Sequence, residues 1–172
     1  MGELQPSPVG SRAAEITLSH GTPGVIETLR LMSRLTKQYK KNPYMITASR
    51  LALARVPMKS ARAEVEALFY FVRSAVRYTQ DITDTELVIA PDVLLRDIHA
   101  GDCDDMSLVL ATLLESVGYK TRFVACGFQM DELTHVFVQV KMGRDWFALD
   151  TTEPYPPGWT PPDASVCYVE HN

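Results

Sequence analysis

Apolar residues recur with two different periods along the chain, and the change of period separates a helical part from a strand part. Before Gly118 the apolar positions follow a spacing of three to four residues, which is typical of amphipathic helices. After it they alternate with polar residues in TRFVACGF, HVFVQVKM and DWFALDTT, which predicts strands. Helices followed by an antiparallel sheet indicate an α+β fold, with N-terminal helices packed on the sheet.

Start and stop residues delimit the predicted helices. Thr22 is expected to be an N-cap before Pro23, and the helix that follows should stop near Asn42. Ser60 and Asp102 are expected to cap two later helices. The predicted spans, in chain order, are 22–42, 47–55, 60–78 and 102–118, with a short helical turn at 91–95.

Residues 1–21 are rich in Gly, Pro and Ser and are expected to form a loose segment, apart from a short strand at 15–19. Residues 22–172 are expected to form a single domain, because a chain of this length can bury one substantial core.

Composition excludes several classes of function. The chain is 46% apolar and 22% charged, carries a net charge of −4 and has no block of Lys and Arg, so neither nucleic acid nor an anionic membrane is an expected partner.

No apolar run approaches the ~18 residues that span a bilayer, and no secretory signal is recognisable, so a reducing cytoplasm is the expected compartment. The three cysteines form no CxxC pair and GDCDDMS lacks the ligands and length of a calcium loop, so no metal or cofactor is expected.

Cys103 stands among three carboxylates where an apolar helix is predicted to begin. Asp102 has the identity of an N-cap, and Asp105 follows at the spacing of a capping box. The free N–H groups at the helix start favour a thiolate, whereas the carboxylates oppose it. A cationic partner from elsewhere in the chain is therefore expected to decide the ionisation. Taken alone, such a cysteine is more often a small buried residue.

The last two long strands are predicted to form a hairpin that turns at Gly143-Arg144, since Gly-X fits a type II′ loop. This register places Asp150 opposite Phe137. His135 then shares the face of Phe137 and lies diagonal to Asp150, at a separation that His and Asp side chains can bridge. The alternate valines point to the other face, so a slip by one residue would separate the pair.

A carboxylate that holds an imidazole produces a general base with a fixed tautomer. If the face that carries His135 packs against the start of the Cys103 helix, then Cys103, His135 and Asp150 form a triad in which the imidazolium stabilises the thiolate. Individually, His135 also fits an ordinary strand histidine and Asp150 an ordinary strand-end acid. Their joint placement with Cys103 favours the triad.

The stretches GDCDDMSLVLATLLESVGYKTR, THVFVQV and WFALDTT, in this order, resemble the core of the transglutaminase-like superfamily over roughly residues 69–152. The resemblance implies a papain-like α+β fold, with Cys103 as nucleophile, His135 as base and Asp150 as orienting acid. It leaves the substrate open, because the superfamily includes peptidases, amidases, cross-linking enzymes and inactive members, some of them bacterial or from bacteriophages.

An oxyanion hole would need two donors, of which the backbone N–H of Cys103 is the first. Gln80 and Tyr78 are the candidates for the second, and Gln80 is slightly favoured because an amide donates without ionising. The alternative is that both residues only terminate a helix.

The sequence thus predicts a thiol-dependent hydrolase, a peptidase or amidase, that acts on a peptide or protein substrate through an acyl-enzyme. Two alternatives stay open. One is protein-glutamine acyl transfer. The other is a non-catalytic assembly or binding module with a protein partner, such as a bacteriophage structural or accessory protein. The segment EPYPPGWTPP is the expected lid of the site, and its shortness favours hydrolysis over transfer.

Overall fold

A computed structural model describes residues 14–15, 21–57, 59–80, 87–129 and 132–172. Most of the predicted loose segment and of its short strand lies outside these ranges, and the division into 1–21 and 22–172 stays a prediction. The helices are α1 (Thr22–Tyr39), α2 (Pro43–Leu53), α3 (Ala61–Ala75), α4 (Pro91–Val93), which continues into a π-helical turn (Leu94–Ile98), and α5 (Cys103–Ser116).

The described strands are β1 (Ala14–Glu15), β2 (Arg77–Tyr78), β3 (Leu87–Val88), β4 (Ala100–Gly101), β5 (Thr121–Gly127), β6 (His135–Met142), β7 (Asp145–Leu149) and β8 (Val166–His171). The four long strands form an antiparallel sheet in the order β7-β6-β5-β8. Helices packed on an antiparallel sheet confirm the α+β fold.

Helix boundaries differ from the sequence prediction where a cap was misassigned. Gly21, not Thr22, occupies the N-cap of α1. Asn42 does not terminate a long helix but caps α2, because its Oδ1 accepts the backbone N–H groups of Tyr44 and Met45 at 2.8 and 3.4 Å. The Ser60 side chain makes no capping hydrogen bond to α3.

Helix α5 lies at the centre of the core. Its residues from Asp104 to Leu114 are all buried, and it packs against α1, α2, α3 and β6. From Leu108 to Leu114 every residue except Thr112 is apolar, as expected of a helix that is buried on all its faces. The first turn of α5 is thereby fixed by packing on several sides.

The two faces of the sheet have different neighbours. Val136, Val138 and Val140 belong to the main core together with the apolar residues of α5. Phe137 lies on the other face, in a small cluster with Val124, Cys126 and Ala148. The hairpin register is the predicted one, with Met142 paired to Asp145 across the turn, but the face that carries Phe137 is turned away from α5.

A short parallel pairing replaces the predicted end of α3. The helix ends at Ala75, and β2 then pairs with β4, with Tyr78 opposite Gly101. The backbone N–H of Thr79 donates to the carbonyl oxygen of Gly101 at 2.9 Å. The segment that carries Tyr78 and Gln80 is therefore fixed beside the residues that lead into α5.

The proline-rich segment 153–162 lies along β7. The backbone N–H of Gly158 donates to the carbonyl oxygen of Ala148 at 2.8 Å, and Arg73 of α3 donates to the carbonyl oxygen of Tyr155 at 3.0 Å. The rings of Tyr155 and Trp159 stack with centroids 4.3 Å apart. The segment thus covers the outer edge of the sheet. Across the described ranges, none of the helices combines the length and the apolar character needed to cross a membrane.

Candidate active site

Cys103 is the first residue of α5, and the predicted N-cap is present. Asp102 Oδ1 accepts the backbone N–H groups of Asp104 and Asp105 at 3.0 and 3.1 Å. Asp105 has a second function, because its Oδ1 accepts the N–H of Ile89 at 2.9 Å and so ties the segment before α4 to α5. A Cβ atom at Gly101 would lie 2.7 Å from the Cβ of Asp105, so glycine is required two residues before the cysteine.

His135 and Asp150 are in contact. Nε2 of His135 lies 2.6 Å from Oδ2 of Asp150, and the Asp150 side chain is almost fully buried. The backbone N–H and the hydroxyl of Thr152 donate to Asp150 Oδ1 at 3.1 and 2.8 Å. Burial raises the pKa of Asp150, but the hydrogen bonds from His135 and Thr152 outweigh it and the pKa falls below its usual value. Asp150 is therefore ionised at neutral pH, and the Nδ1 atom of His135 is the nitrogen that can exchange a proton.

Cys103 and His135 line one cleft of about 220 Å³. The cleft also contains both predicted oxyanion donors. Its lining consists of Val25, Tyr78, Gln80, Asp102, Cys103, Asp104, Leu133, Thr134, His135 and Val136.

The face of β6 that packs on the cysteine helix is not the one that carries His135. The valine face of β6, not the face of His135 and Phe137, packs on α5. His135 nevertheless borders the cleft because it is the first residue of the strand. The hydroxyl of Ser107 donates to the carbonyl oxygen of Val136 at 3.3 Å, and a backbone hydrogen bond from Val136 favours the thiolate of Cys103. Ser107, one helical turn after Cys103, thus holds the start of β6 beside the first turn of α5.

The thiolate expected at Cys103 is contradicted by the direction of its pKa. Burial raises the pKa of the Cys103 thiol well above its usual value, and the carboxylates of Asp104 and Asp102 raise it further. The sulfur also donates to Asp104 Oδ1 at 3.6 Å, which favours the protonated form. Burial and the two carboxylates outweigh the helix N-terminus and the Val136 backbone. Cys103 is therefore a thiol, not a thiolate, at neutral pH.

Both predicted oxyanion donors are close to Cys103, and neither terminates a helix. Burial raises the pKa of the Tyr78 hydroxyl, and the nearby groups of Cys103, Asp102, Glu153 and Asp150 raise it further. The phenol is therefore neutral and keeps its proton for donation. Gln80 follows two residues later and lines the same cleft.

Several lining residues were not singled out from the sequence. Leu133 and Thr134 precede β6 where no periodic pattern exists, and Val25 lies on a helix remote in sequence. Thr152 could have been found, because an aspartate followed two residues later by threonine is typical of an Asx turn. The predicted lid is not confirmed, since none of the lining residues comes from 153–162. Among the described residues, no group of three or more His, Cys, Asp or Glu is arranged to hold a metal ion.

The fold and the cleft define a papain-like α+β protein with a cysteine at a helix N-terminus and a histidine–aspartate pair on the adjoining sheet. A family model described as the transglutaminase-like superfamily matches residues 51–151. This match covers more than half of the chain, so the protein belongs to the transglutaminase-like superfamily. Among curated proteins, no significant match was found.

Solved structures share the fold at low sequence identity. Legionella pneumophila LapG is 16% identical, with a TM-score of 0.53 over 81% of each chain. A calcium-bound form of LapG is 17% identical, with a TM-score of 0.50 over 80% of each chain. A candidate protease from Parabacteroides distasonis is 13% identical, with a TM-score of 0.53 over 75% of the present chain and 27% of its own. The chain thus spans about a quarter of that last protein.

The raised pKa of Cys103 predicts slow alkylation at neutral pH. Iodoacetamide labelling of Cys103 should accelerate steadily from pH 7 to pH 9, because the thiolate fraction grows as the pH approaches the raised pKa. Asp104→Asn removes a carboxylate that raises this pKa, so it should accelerate labelling at pH 8 by up to roughly tenfold, the effect of one pKa unit. Peptide mapping by mass spectrometry gives the rate at Cys103 itself. The matched control is Asp145→Asn at the hairpin turn, and equal rates in the two variants would contradict the electrostatic explanation.

The lowered pKa of Asp150 predicts a pH-dependent contribution to stability. The ionised carboxylate stabilises the fold above its unfolded pKa of about 3.9, and this contribution is lost as the pH falls through the lower folded pKa. The difference in free energy of unfolding between the wild type and Asp150→Asn should therefore shrink as the pH falls below about 4, through the lowered pKa of Asp150. Urea denaturation at a series of pH values measures it. A difference that stays constant down to pH 2 would show that the carboxylate is not stabilised in the folded state.

Proposed function

We propose that the protein is a thiol-dependent hydrolase of peptide or amide bonds. Cys103 is the nucleophile, His135 the general base and Asp150 the residue that orients the imidazole. The observation that supports this most directly is the 2.6 Å contact between His135 and Asp150 at the border of the cleft that Cys103 lines. A base held by a buried carboxylate, together with a thiol at a helix N-terminus, is the arrangement that acyl transfer requires.

The protonated resting thiol determines how the first step proceeds. As the sulfur of Cys103 bonds to the substrate carbonyl carbon, His135 Nδ1 accepts the thiol proton. Asp150 stabilises the imidazolium, which then gives the proton to the departing amine and leaves an acyl-enzyme. Water, deprotonated by the same imidazole, attacks the thioester and releases the acid and the free thiol. Because the pKa of Cys103 is raised before substrate binds, this route uses a general base and not a preformed ion pair.

Hydrolysis is favoured over transfer to an amine by the exposed rim of the cleft. The side chain of Tyr78, which lines the cleft, is about half exposed, and the proline-rich segment packs along β7. Transfer to an amine requires a site that keeps water from the acyl-enzyme. The description of the Parabacteroides structure as a candidate protease agrees with this proposal, although at 13% identity the likeness extends to the fold alone.

A non-catalytic binding module is the second candidate, and one observation favours it. The Cys103 sulfur donates to Asp104, and burial and carboxylates raise its pKa. A vestigial site would keep the geometry of the cleft but lose the reactivity of the thiol. The reactions described next distinguish the two candidates.

The proposed hydrolase is tested with a broad panel of labelled peptides and protein substrates, in the presence and absence of a labelled primary amine. We expect cleavage or deamidation in excess over amine incorporation. Cys103→Ser and His135→Ala should each reduce the rate by several orders of magnitude, because members of a triad act as a unit. Thr47→Ser, a conservative substitution at an exposed position of α2, is the control and should keep the wild-type rate.

Efficient amine incorporation that depends on Cys103 would replace the hydrolase with an acyltransferase. A Cys103 thiol that fails to react with either substrates or alkylating agents would support the binding module.

The oxyanion donor is tested by matched substitutions at Tyr78 and Gln80. Tyr78→Phe removes only the hydroxyl, and Gln80→Glu replaces the amide by a group that cannot donate when ionised. Loss of the true donor should lower kcat by roughly 10²–10³ with little change in KM, because the hydrogen bond forms in the transition state. We expect this loss for one variant and a small effect for the other. Small effects in both would exclude the pair as oxyanion donors.

A further inference from the structure

Cys126 and Cys167 stand opposite each other on the face of the sheet that is turned away from α5. They are directly paired across β5 and β8, and their Sγ atoms lie 2.7 Å apart. Cys126 is buried and Cys167 is exposed. Neither takes part in the proposed acyl transfer, and neither was assigned a partner from the sequence.

The position of the pair in the hydrogen-bond pattern suits a covalent link. The carbonyl oxygen of Cys126 accepts the N–H of Thr134, on the side of β6, whereas that of Gly127 accepts the N–H of Ser165, on the side of β8. Cys126 and Cys167 therefore form a non-hydrogen-bonded pair, in which opposite Cα atoms approach to about 4.5 Å. Disulfides need a Cα separation of about 4.4–6.8 Å, so little backbone movement is required.

The two thiols differ in accessibility. Burial, together with the neighbouring Cys167 and Asp150, raises the pKa of Cys126 to about 12. A reagent from solution can reach Cys167 first. Cys126, placed behind it, is then available to attack the Cys167 sulfur, as a resolving cysteine does.

We infer that Cys126 and Cys167 form a reversible disulfide by exchange with a low-molecular-weight disulfide such as oxidised glutathione. The Cys167 thiolate attacks one sulfur of the reagent, which forms a mixed disulfide and releases one thiol. Cys126 then gives up its proton and attacks the Cys167 sulfur, which forms the Cys126–Cys167 bond and releases the second thiol. Two protein thiols are oxidised and one disulfide is reduced to two thiols, so atoms and electrons balance.

The modification would lie beside the proposed active site without including its nucleophile. Cys126 is directly paired with His135 on its other side, and Asp150 contributes to the raised pKa of Cys126. The link would join the C-terminal strand β8 to β5, the strand that pairs with the histidine strand. It closes a loop with a sequence separation of 41 residues, so oxidation should stabilise the fold by restricting the unfolded chain. The inference holds whether or not Cys103 is catalytic.

The test is to incubate the full chain with oxidised glutathione, block free thiols with N-ethylmaleimide and map the peptides by mass spectrometry. We expect a Cys126–Cys167 cross-linked peptide, a free and alkylated Cys103, and a melting temperature raised by several degrees that returns to its original value with dithiothreitol. A Cys126 that stays alkylatable after denaturation, under conditions that oxidise Cys167, would overturn the inference.

Single variants identify the order of the two steps. Cys126→Ser should trap glutathione on Cys167, and Cys167→Ser should leave Cys126 reduced. Cys103→Ser should form the cross-link at the wild-type rate, which separates this chemistry from any acyl transfer. Modification of Cys126 by glutathione in Cys167→Ser would contradict the proposed order. The wild-type peptide map decides the main question even if a variant folds poorly.

Discussion

The contact between the first turn of α5 and the first residues of β6 holds the candidate site together. Ser107, one helical turn after Cys103, donates a hydrogen bond to the backbone of Val136, the residue that follows His135. This contact fixes where the strand begins and hence where His135 stands. Asp150 and Thr152 then follow from the hairpin register. The sheet reaches the cysteine through its backbone, while its valine side chains fill the core below.

Electrostatics around Cys103 oppose a resting thiolate. Asp102 is needed as the N-cap, and Asp104 lies beside the sulfur, so the carboxylates that help to form the helix also raise the pKa of its first residue. A helix N-terminus contributes only a partial positive charge. Under the proposed function, His135 must therefore remove the proton from Cys103 during the reaction. A bound substrate that displaces water would change how strongly the nearby charges act on this thiol.

The sequence predicted the elements that carry a repeating pattern and missed those that do not. The alternating valines and the Gly143-Arg144 turn were sufficient to place His135 beside Asp150. The two-residue pairing of β2 with β4 was missed, because two residues show no periodicity and Tyr78 continued an apparent helix. The sequence left open which face of β6 packs on α5, since alternation defines two faces but does not say which one meets the helix. The pKa of Cys103 could not be predicted, because it depends mainly on how deeply the thiol is buried, and the sequence does not show this.

Burial of α5 on all sides has a consequence for how the protein loses its structure. An amide in the buried middle of this helix, from Leu108 to Leu114, can exchange with solvent only if the surrounding helices and β6 separate from it, so its opening should coincide with cooperative unfolding of the whole core. The candidate nucleophile is thus carried by the part of the molecule that opens last. Tyr78 and Gln80 are held by the two-residue pairing of β2 with β4, so we expect their segment to open at a lower free energy than the middle of α5. Local opening should therefore displace Tyr78 and Gln80 more often than it displaces Cys103.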